Sequence, residues 1–368
     1  MTEAYLNRIA TAVPDHDVHA PFVDFADRLM AESPDPRLRS LFNRMSSRSG
    51  IEHRYSILYP HPDSTGLDNS EFWINANEFF IRGAFPNTSK RMEIFERFAP
   101  ILMRRALDRL NVTPSERRSI THVLVTTCTG LYAPGLDFDI VDHLGLCPSV
   151  ERTMIGFMGC YAAINGLKTA RHIIRSEPSA RVLMLNLELC TLHLQETHDL
   201  EQVLSFLLFA DGCAASILSA EPVGLAMDSF RAVQIPETRD LITWKIRGLG
   251  FDMFLSGQVP VAIGKGLEAI GRSSDQAIIG PFTLDDITLW GVHPGGRTIL
   301  DAVERGLALP PDALSASRSV LERYGNMSSA TVMFVLDELM RHAQPGERGC
   351  AMSFGPGLTA ETMLFHAA

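Results

Sequence analysis

The stretch Arg152–Arg175, RTMIGFMGCYAAINGLKTARHIIR, decides how the rest of the chain is read. Arg152 to Met158 reads as a strand, Gly159-Cys160 as a tight turn, and Tyr161 to Arg175 has helical spacing of apolar residues. Upstream, His122–Thr127 (HVLVTT) is a β-rich run ending in a loop with Pro134 and Gly135. Asp137–Leu144 then returns to helical spacing. Downstream, Arg181–Leu187 (RVLMLNL) and Ala214–Leu218 read as buried strands. Strands alternating with helices predict an α/β fold with a mixed or parallel sheet covered by helices. Before that alternation, residues up to about 115 read as mainly helical. Arg91–Leu110 carries the helical pattern, and Thr113 to Glu116 forms a capping box for a short helix.

The second half repeats this order. Asp286–Val292 (DITLWGV) resembles Ile120–Val125 (ITHVLV), and each runs into a loop. Tyr324-Gly325-Asn326 precedes the helical run Ser329–Arg341, as Gly159-Cys160 precedes its own helix. Ala351–Phe354 takes the part of Arg181–Leu187. The pattern predicts an internal duplication of about 150 residues or more, with halves at 1–225 and 226–368. It puts Cys160 and Asn326 at equivalent helix starts and His293 past a strand end. Three polar groups would then converge where the halves meet.

Composition narrows the function. The 368 residues are 46% hydrophobic and 21% charged, a globular balance with ample material for a large core. A net charge of −10 and a pI near 5.6 repel phosphate backbones, which excludes nucleic acid as a partner. A phosphorylated ligand would need a local basic patch. The N-terminus, MTEAYLNRIATAVPDHD, lacks a basic segment leading into an apolar run, so no signal peptide is expected. No stretch approaches about 18 uncharged apolar residues, so no membrane span is expected. The six cysteines, Cys128, Cys147, Cys160, Cys190, Cys213 and Cys350, form no CxxC pair. They read as free thiols of a cytoplasmic protein, with no Cys/His cluster suited to a metal.

Cys160 stands out because a glycine precedes it and a helix follows. The positive helix end favours thiolate over thiol. His293, in WGVHPGGRTILDAV, follows a strand and precedes Pro-Gly-Gly. Beside a cysteine it could form a thiolate–imidazolium pair and donate hydrogen bonds to a thioester oxygen. Asn326, in RYGNMSSATVMFVLDEL, suits a helix cap. Its uncharged amide is equally suited to an oxyanion.

Three stretches, WGVHPGGRTILDAVE, RYGNMSSATVMFVLDE and SFGPGLTAETMLF, closely resemble the chalcone synthase superfamily of type III polyketide synthases. FADGCAASIL (Phe209–Leu218) resembles that family's Phe-Gly-Asp-Gly-Ala-Ala segment. The resemblance runs from about Arg44 to the C-terminus. It implies a thiolase-like, duplicated αβαβα layered fold. Cys160 would take an acyl starter from a CoA thioester. His293 and Asn326 would bind the malonyl-CoA thioester carbonyl. Decarboxylation would then give an enolate that attacks the Cys160 thioester, in repeated rounds before cyclisation. Phe209 matches a gate between CoA tunnel and cavity. Ser328 and the loop Gly355, Pro356 and Gly357 would line the site, and Arg48 and Arg54 fall where basic residues meet the CoA phosphates. Acyl-CoA and malonyl-CoA are implied as substrates, with no permanently bound cofactor. A homodimer and an acyl carrier protein as starter donor are the implied partners.

The departures from the plant pattern concern the starter. Ala133 replaces a bulky Met that reaches the partner's cavity. Cys128 and Cys190 replace threonines and His193 another pocket Thr. Met253 stands for a second gate Phe, and Trp244 for a cavity-shaping Gly. The segments CTGLYAPGLD, GFMGCYAAINGLKTA and NLELCTLH resemble bacterial members that take medium- to long-chain fatty acyl starters and make alkylpyrones or alkylresorcinols, and the compact Cys128, Thr129 and Cys190 could line a tunnel opened by Ala133. The alternatives are a small starter such as malonyl- or acetyl-CoA, a ketoacyl-ACP synthase III-type single condensation, and a non-catalytic binding relative.

Overall fold

Apolar strands separated by amphipathic helices can bury both faces only in a layered arrangement. The computed structural model describes residues 2–61, 72–271, 278–280 and 282–368. Its main sheet has nine strands: β1 (Tyr5–Ala12), β2 (His122–Thr127), β3 (Glu151–Gly156), β4 (Val182–Leu189), β5 (Asp211–Ser219), β6 (Leu225–Gln234), β7 (Leu289–Val292), β8 (Arg348–Gly355) and β9 (Thr359–Ala367). They lie in the order β7-β8-β9-β6-β1-β5-β4-β2-β3. In the first half β2 pairs parallel with β4, β4 antiparallel with β5, and β5 antiparallel with β1. The second half repeats that scheme in β7 with β8, β8 with β9, and β9 with β6. This is the duplication expected from the sequence. β1 and β6 join the halves through Tyr5↔Ala226 and Leu6↔Leu225.

That narrow joint lets the sheet fold over. Helix Ala162–Ser176 touches β2 and β4 of one half and β8 and β9 of the other. β2 and β9 are five strands apart in the sheet order. A flat sheet would separate them by about 24 Å, more than a helix diameter. Helix Thr331–Met340 likewise touches β1, β5, β7 and β8. The two helices therefore form a central layer. Strand alternation serves all the layers. Val182 and Met184 face the central helices, whereas Leu183, Leu185 and Leu187 face helices Thr88–Leu110 and Leu136–Leu144. In the other half Ala351 points to the centre, and Cys350 and Met352 pack toward helices Val259–Gly271 and Arg297–Gly306. The result is five layers, α-β-α-β-α.

Thr113 caps helix Pro114–Ser119 through a capping box with Glu116, as the sequence predicts. Three sequence expectations change. The N-terminal region is not wholly helical, because Tyr5–Ala12 is a strand at the centre of the sheet. Its polar Asn7, Arg8 and Thr11 hide the apolar pattern, and its partners lie more than 200 residues away. The expected strand Asp286–Val292 is shorter, since Leu284–Asp286 is a 3-10 turn and the strand begins at Leu289. Cys160 and Asn326 are not strictly equivalent. Cys160 sits inside the turn Gly159–Tyr161, while Asn326 precedes the matching turn Ser328–Ala330 by two residues. Among the described residues no helix is long and apolar enough to cross a membrane.

Candidate active site

β3 ends in a turn that few sequences tolerate. Phe157 and Gly159 both have positive φ, at 58° and 68°. A side chain at Gly159 would fall 2.3 Å from Pro356 Cδ, so glycine is required on both counts. The turn brings Cys160 to the start of helix Ala162–Ser176, part of its surface still open. From the other half, β7 ends at Val292, and His293 N donates to Met352 O at 2.7 Å. Asn326 is held by backbone bonds from Asn326 N to Leu208 O at 2.8 Å and from Ala210 N to Asn326 O at 2.9 Å.

Cys160, His293 and Asn326 line one cavity of about 70 Å³. Phe209, Cys128, Thr129, Cys190, His193, Trp244, Met253, Ser328, Gly355 and Pro356 share that lining. Cys160 Sγ lies 3.8 Å from Ser328 Oγ. Asn326 Oδ1 accepts from Ser328 N at 2.8 Å, and Nδ2 donates to Gly295 O at 3.3 Å. The amide orientation is thereby fixed, and Asn326 also hydrogen-bonds the Cys160 sulfur. Both ring nitrogens of His293 are buried without a partner. An unmet buried polar atom costs about 1–3 kcal/mol, so a carbonyl oxygen bound there recovers a cost already built in.

Electrostatics oppose one expectation. Burial pushes the Cys160 thiol up to about 12, against the pull of hydrogen bonds from Ser328 and Asn326, and the nearby Glu188 adds to the rise. Burial also lowers His293 to about 3. Desolvation thus disfavours the charged form of both the thiol and the imidazole and opposes the expected thiolate–imidazolium pair. Desolvation outweighs the helix end here.

Several neighbours act as supports. His193 Nε2 lies 2.7 Å from Thr129 O, Phe251 N donates to Nδ1 at 3.0 Å, and the ring stacks on Phe251. Trp244 Nε1 donates to Cys128 O at 2.8 Å. Together they pin the hairpin of Ile242–Arg247 and Gly250–Leu255 against the end of β2 as a cavity wall. Gly357 does not line the cavity but donates its N–H to Ile242 O at 3.1 Å, tying its loop to that hairpin.

Two expected residues lie elsewhere. Ala133 is exposed in the loop after β2 and is no wall of this chain's own cavity. Arg54 is only 1% exposed. Its Nε meets His19 Nδ1 and its Nη1 meets the carbonyls of Phe206 and Phe209, so it braces the gate segment and is unavailable to surface phosphates. Arg48 is exposed and remains free for that task. The sequence reading also missed residues. Arg297, four positions after His293, reaches Arg48 O at 3.2 Å and adds a second exposed cation there. Glu188 is fully buried and accepts from Cys128 N at 2.9 Å, Thr129 Oγ1 at 2.9 Å and Ser329 Oγ at 2.5 Å. It ties the two halves beneath Cys160. The signal was an acid inside the apolar strand LMLNLEL.

Comparison with known proteins agrees with this architecture. Residues 2–222 match the family model "Chalcone and stilbene synthases, N-terminal domain", and residues 226–368 match the C-terminal domain. The chain is 33% identical to bisdemethoxycurcumin synthase of Oryza sativa subsp. japonica, over 98% of this chain and 91% of that protein. It is 31% identical to the alpha-pyrone synthesis polyketide synthase-like Pks18 of Mycobacterium tuberculosis, over 99% and 91%. Among solved structures, PKS-I of the brown alga Ectocarpus siliculosus superposes with a TM-score of 0.87 at 29% identity, over 100% of this chain and 99% of that one. The C-terminal type III polyketide synthase domain of Steely1 from Dictyostelium gives 0.85 at 26%, over 99% of each. A fold-matched chain with family models spanning both halves leaves one assignment: this protein belongs to the chalcone and stilbene synthase family, and is a type III polyketide synthase.

Proposed function

We propose that the enzyme loads a medium- to long-chain fatty acyl starter onto Cys160, extends it with malonyl-CoA and cyclises the product to an alkylpyrone or alkylresorcinol. The observation that carries the chemistry is the convergence of Cys160 with two unpartnered His293 nitrogens and a fixed Asn326 amide in one cavity. Cys160 Sγ attacks the starter thioester as His293 takes the thiol proton and passes it to the departing CoA sulfur. Malonyl-CoA then binds with its thioester oxygen between His293 and Asn326. Its carboxylate leaves as CO₂, and the electron pair moves into the carbonyl to give an enolate held by those two donors. The enolate carbon attacks the Cys160 thioester and releases the sulfur, which leaves a chain longer by two carbons on CoA. Arg48 and Arg297 supply the cations for the CoA phosphates. A homodimer would bring the exposed Ala133, Leu131 and Phe138 against a second copy.

The fatty starter is supported by the compact Cys128, Thr129 and Cys190 in the lining and by the relative named for alpha-pyrone synthesis. A small starter such as acetyl- or malonyl-CoA is favoured by a different observation: the cavity is only about 70 Å³ and Trp244 stands in its wall. Mass spectrometry of products from acetyl-, hexanoyl-, lauroyl- and palmitoyl-CoA with malonyl-CoA separates the readings. We expect kcat/KM to rise toward the longer starters and products to contain several malonyl-derived units. A steady fall with chain length would establish the small-starter reading. A single extension would place the enzyme with the ketoacyl-ACP synthases.

A further inference from the structure

The loop between helix Leu200–Leu208 and β5 carries Phe209, which lines the reaction cavity, and its backbone is held from two sides. On one side Leu208 O accepts from Asn326 N at 2.8 Å and Ala210 N donates to Asn326 O at 2.9 Å, so Phe209 and Asn326 form a parallel β-bridge. Phe209 is extended, and in extended backbone successive carbonyls point opposite ways. Phe209 O therefore faces away from Asn326, and there it meets Arg54. Arg54 Nη1 donates to Phe209 O and, at 3.0 Å, to Phe206 O, while Nε donates to His19 Nδ1 at 3.2 Å. The Arg54 stem lies against Gly325, where a Cβ would fall 2.7 Å from Cγ and 3.0 Å from Cδ. One side chain thus grips the loop that holds Asn326 and also packs on the residue before it.

From this chain of contacts we propose that Arg54 is a positioning residue for malonyl-CoA decarboxylation: it fixes the loop Phe206–Ala210 and, through that loop, the Asn326 amide that receives the enolate oxygen. The inference rests on the reading of Asn326 as an enolate donor and adds what holds that donor in place. Arg54 is sealed from solvent, with the Phe22 ring centroid 4.8 Å from Cζ. Nη2 is buried and has no hydrogen-bond partner among the described residues. Burial lowers the guanidinium to about 10 while Asp17 and Asp211 support it, so it stays charged at neutral pH. Burial, with the Arg54 charge, lowers His19 to about 4, which leaves a neutral imidazole to accept from Nε. An oxyanion donor acts only within about 2.7–3.1 Å of the developing charge. A displacement of about 1 Å can lower a rate by about 100-fold. The planar fork of arginine spans His19 and both carbonyls at once, whereas lysine brings the same charge on one mobile nitrogen.

The test is a double-mutant cycle read by CO₂ release from malonyl-CoA. Arg54→Lys should lower kcat about tenfold and leave KM within about twofold, because the donor moves while the CoA contacts do not. In an Asn326→Ala background the same substitution should change the residual kcat by less than about twofold, since no amide is left to displace. A purely structural role would lower the rate by the same factor in both backgrounds, and that result overturns the proposal. A raised KM with unchanged kcat also overturns it and returns Arg54 to the CoA phosphates. If Arg54→Lys fails to fold, His19→Ala takes its place in the cycle. His19 is only partly buried at the start of its helix, and its loss frees Nε while Arg54 and the site residues stay intact. It should lower kcat about threefold, again only where Asn326 is present. A kcat unaffected by the variant that folds overturns the proposal alone. If Asn326→Ala by itself leaves decarboxylation near normal, the donor reading fails and takes this inference with it.

Discussion

The two halves of the chain share one strand scheme yet put different chemistry at corresponding turns. In the first half β3 runs through Phe157 and Gly159 into the turn that holds Cys160. In the second half, among the described residues, no strand corresponds to β3. Helix Ser315–Tyr324 leads instead to Gly325, which also has φ 68°, and to the turn Ser328–Ala330. Ser329 occupies the place that Cys160 has in its own turn. Its hydroxyl is fully buried and donates to Glu188, whereas the Cys160 sulfur faces a cavity. The second half instead reaches the cavity through Asn326, three residues earlier, together with His293 and Ser328. The shared frame fixes where a turn points, and what fills the space beside it decides whether the side chain reacts or braces.

The largest expected effect breaks this comparison at its centre. Cys160→Ala should reduce polyketide formation to background while the melting temperature changes little, because no other group carries the acyl chain. Ser329→Ala should do the opposite. It leaves the buried Glu188 carboxylate one donor short and should cost about 1–3 kcal/mol of stability, with acylation of Cys160 retained. Incubation with a radiolabelled acyl-CoA, peptide mapping and a thermal melt measure both sides. Label on Cys128 or Cys190 in wild-type enzyme would overturn the assignment of the nucleophile.

Next in size is the donor pair. His293→Ala or Asn326→Ala should each lower malonyl-CoA decarboxylation by roughly 100-fold or more. Near-normal CO₂ release from both variants would mean that another group holds the carbonyl. The two turn glycines should follow. Gly159→Ala forces a Cβ to within 2.3 Å of Pro356, and Gly325→Ala to within 2.7 Å of Arg54 Cγ, each at positive φ. Backbone strain of this kind costs about 1–3 kcal/mol. Gly159→Ala should also displace Cys160 and so lose activity out of proportion to its melting temperature. Gly325→Ala meets both the anchored Arg54 stem and Leu208 O at 3.0 Å, and should displace the neighbouring Asn326 as well.

What the sequence disclosed and what it hid follow from the range of the forces involved. Cys160 and Asn326 were legible because each follows a glycine at a turn into a helix, and His293 because it ends a strand before Pro-Gly-Gly, all local patterns. The order of β2, β4, β7 and β8 was legible for the same reason. β1, β6 and β9 were not, since they meet across the centre of the sheet at separations that no local window spans. Arg54 read as a phosphate-binding cation because it falls where the family's basic residues do. Nothing nearby in sequence says that Phe206 and Phe209 fold over it. The desolvation of the Cys160 thiol was hidden in the same way, since a helix start is visible in sequence and depth of burial is not.

Glu188 sets the smallest and most specific test of the seam between the halves. Burial raises its carboxyl to about 7 from an ordinary 4.5, even though hydrogen bonds from Ser329, Cys128 and Thr129 favour the ionised form. The folded protein thus binds this proton more tightly than the unfolded chain does. Below about pH 4.5 both states hold the proton. As pH rises from there through about 7, the unfolded carboxyl ionises first and stability declines. Asp211, which burial raises to about 6, contributes a decline over an overlapping range. Burial lowers His193 and His293 to about 3 and His19 to about 4, and these add stability as pH rises toward 6.5. The readout is therefore the difference from wild type: Glu188→Gln should gain in melting temperature relative to wild type as pH rises from about 4.5 to about 7.5. The absolute stability of the variant is a poor readout, because its amide N–H groups would face Cys128 N–H and other donors. The slope is free of that fixed cost, since the cost does not titrate. Differential scanning fluorimetry across that pH range, with Asp211→Asn as the companion variant, gives the two slopes. If Glu188→Gln reproduces the wild-type slope, the carboxylate titrates alike in the folded and unfolded chain, and its burial beneath Cys160 has no electrostatic consequence.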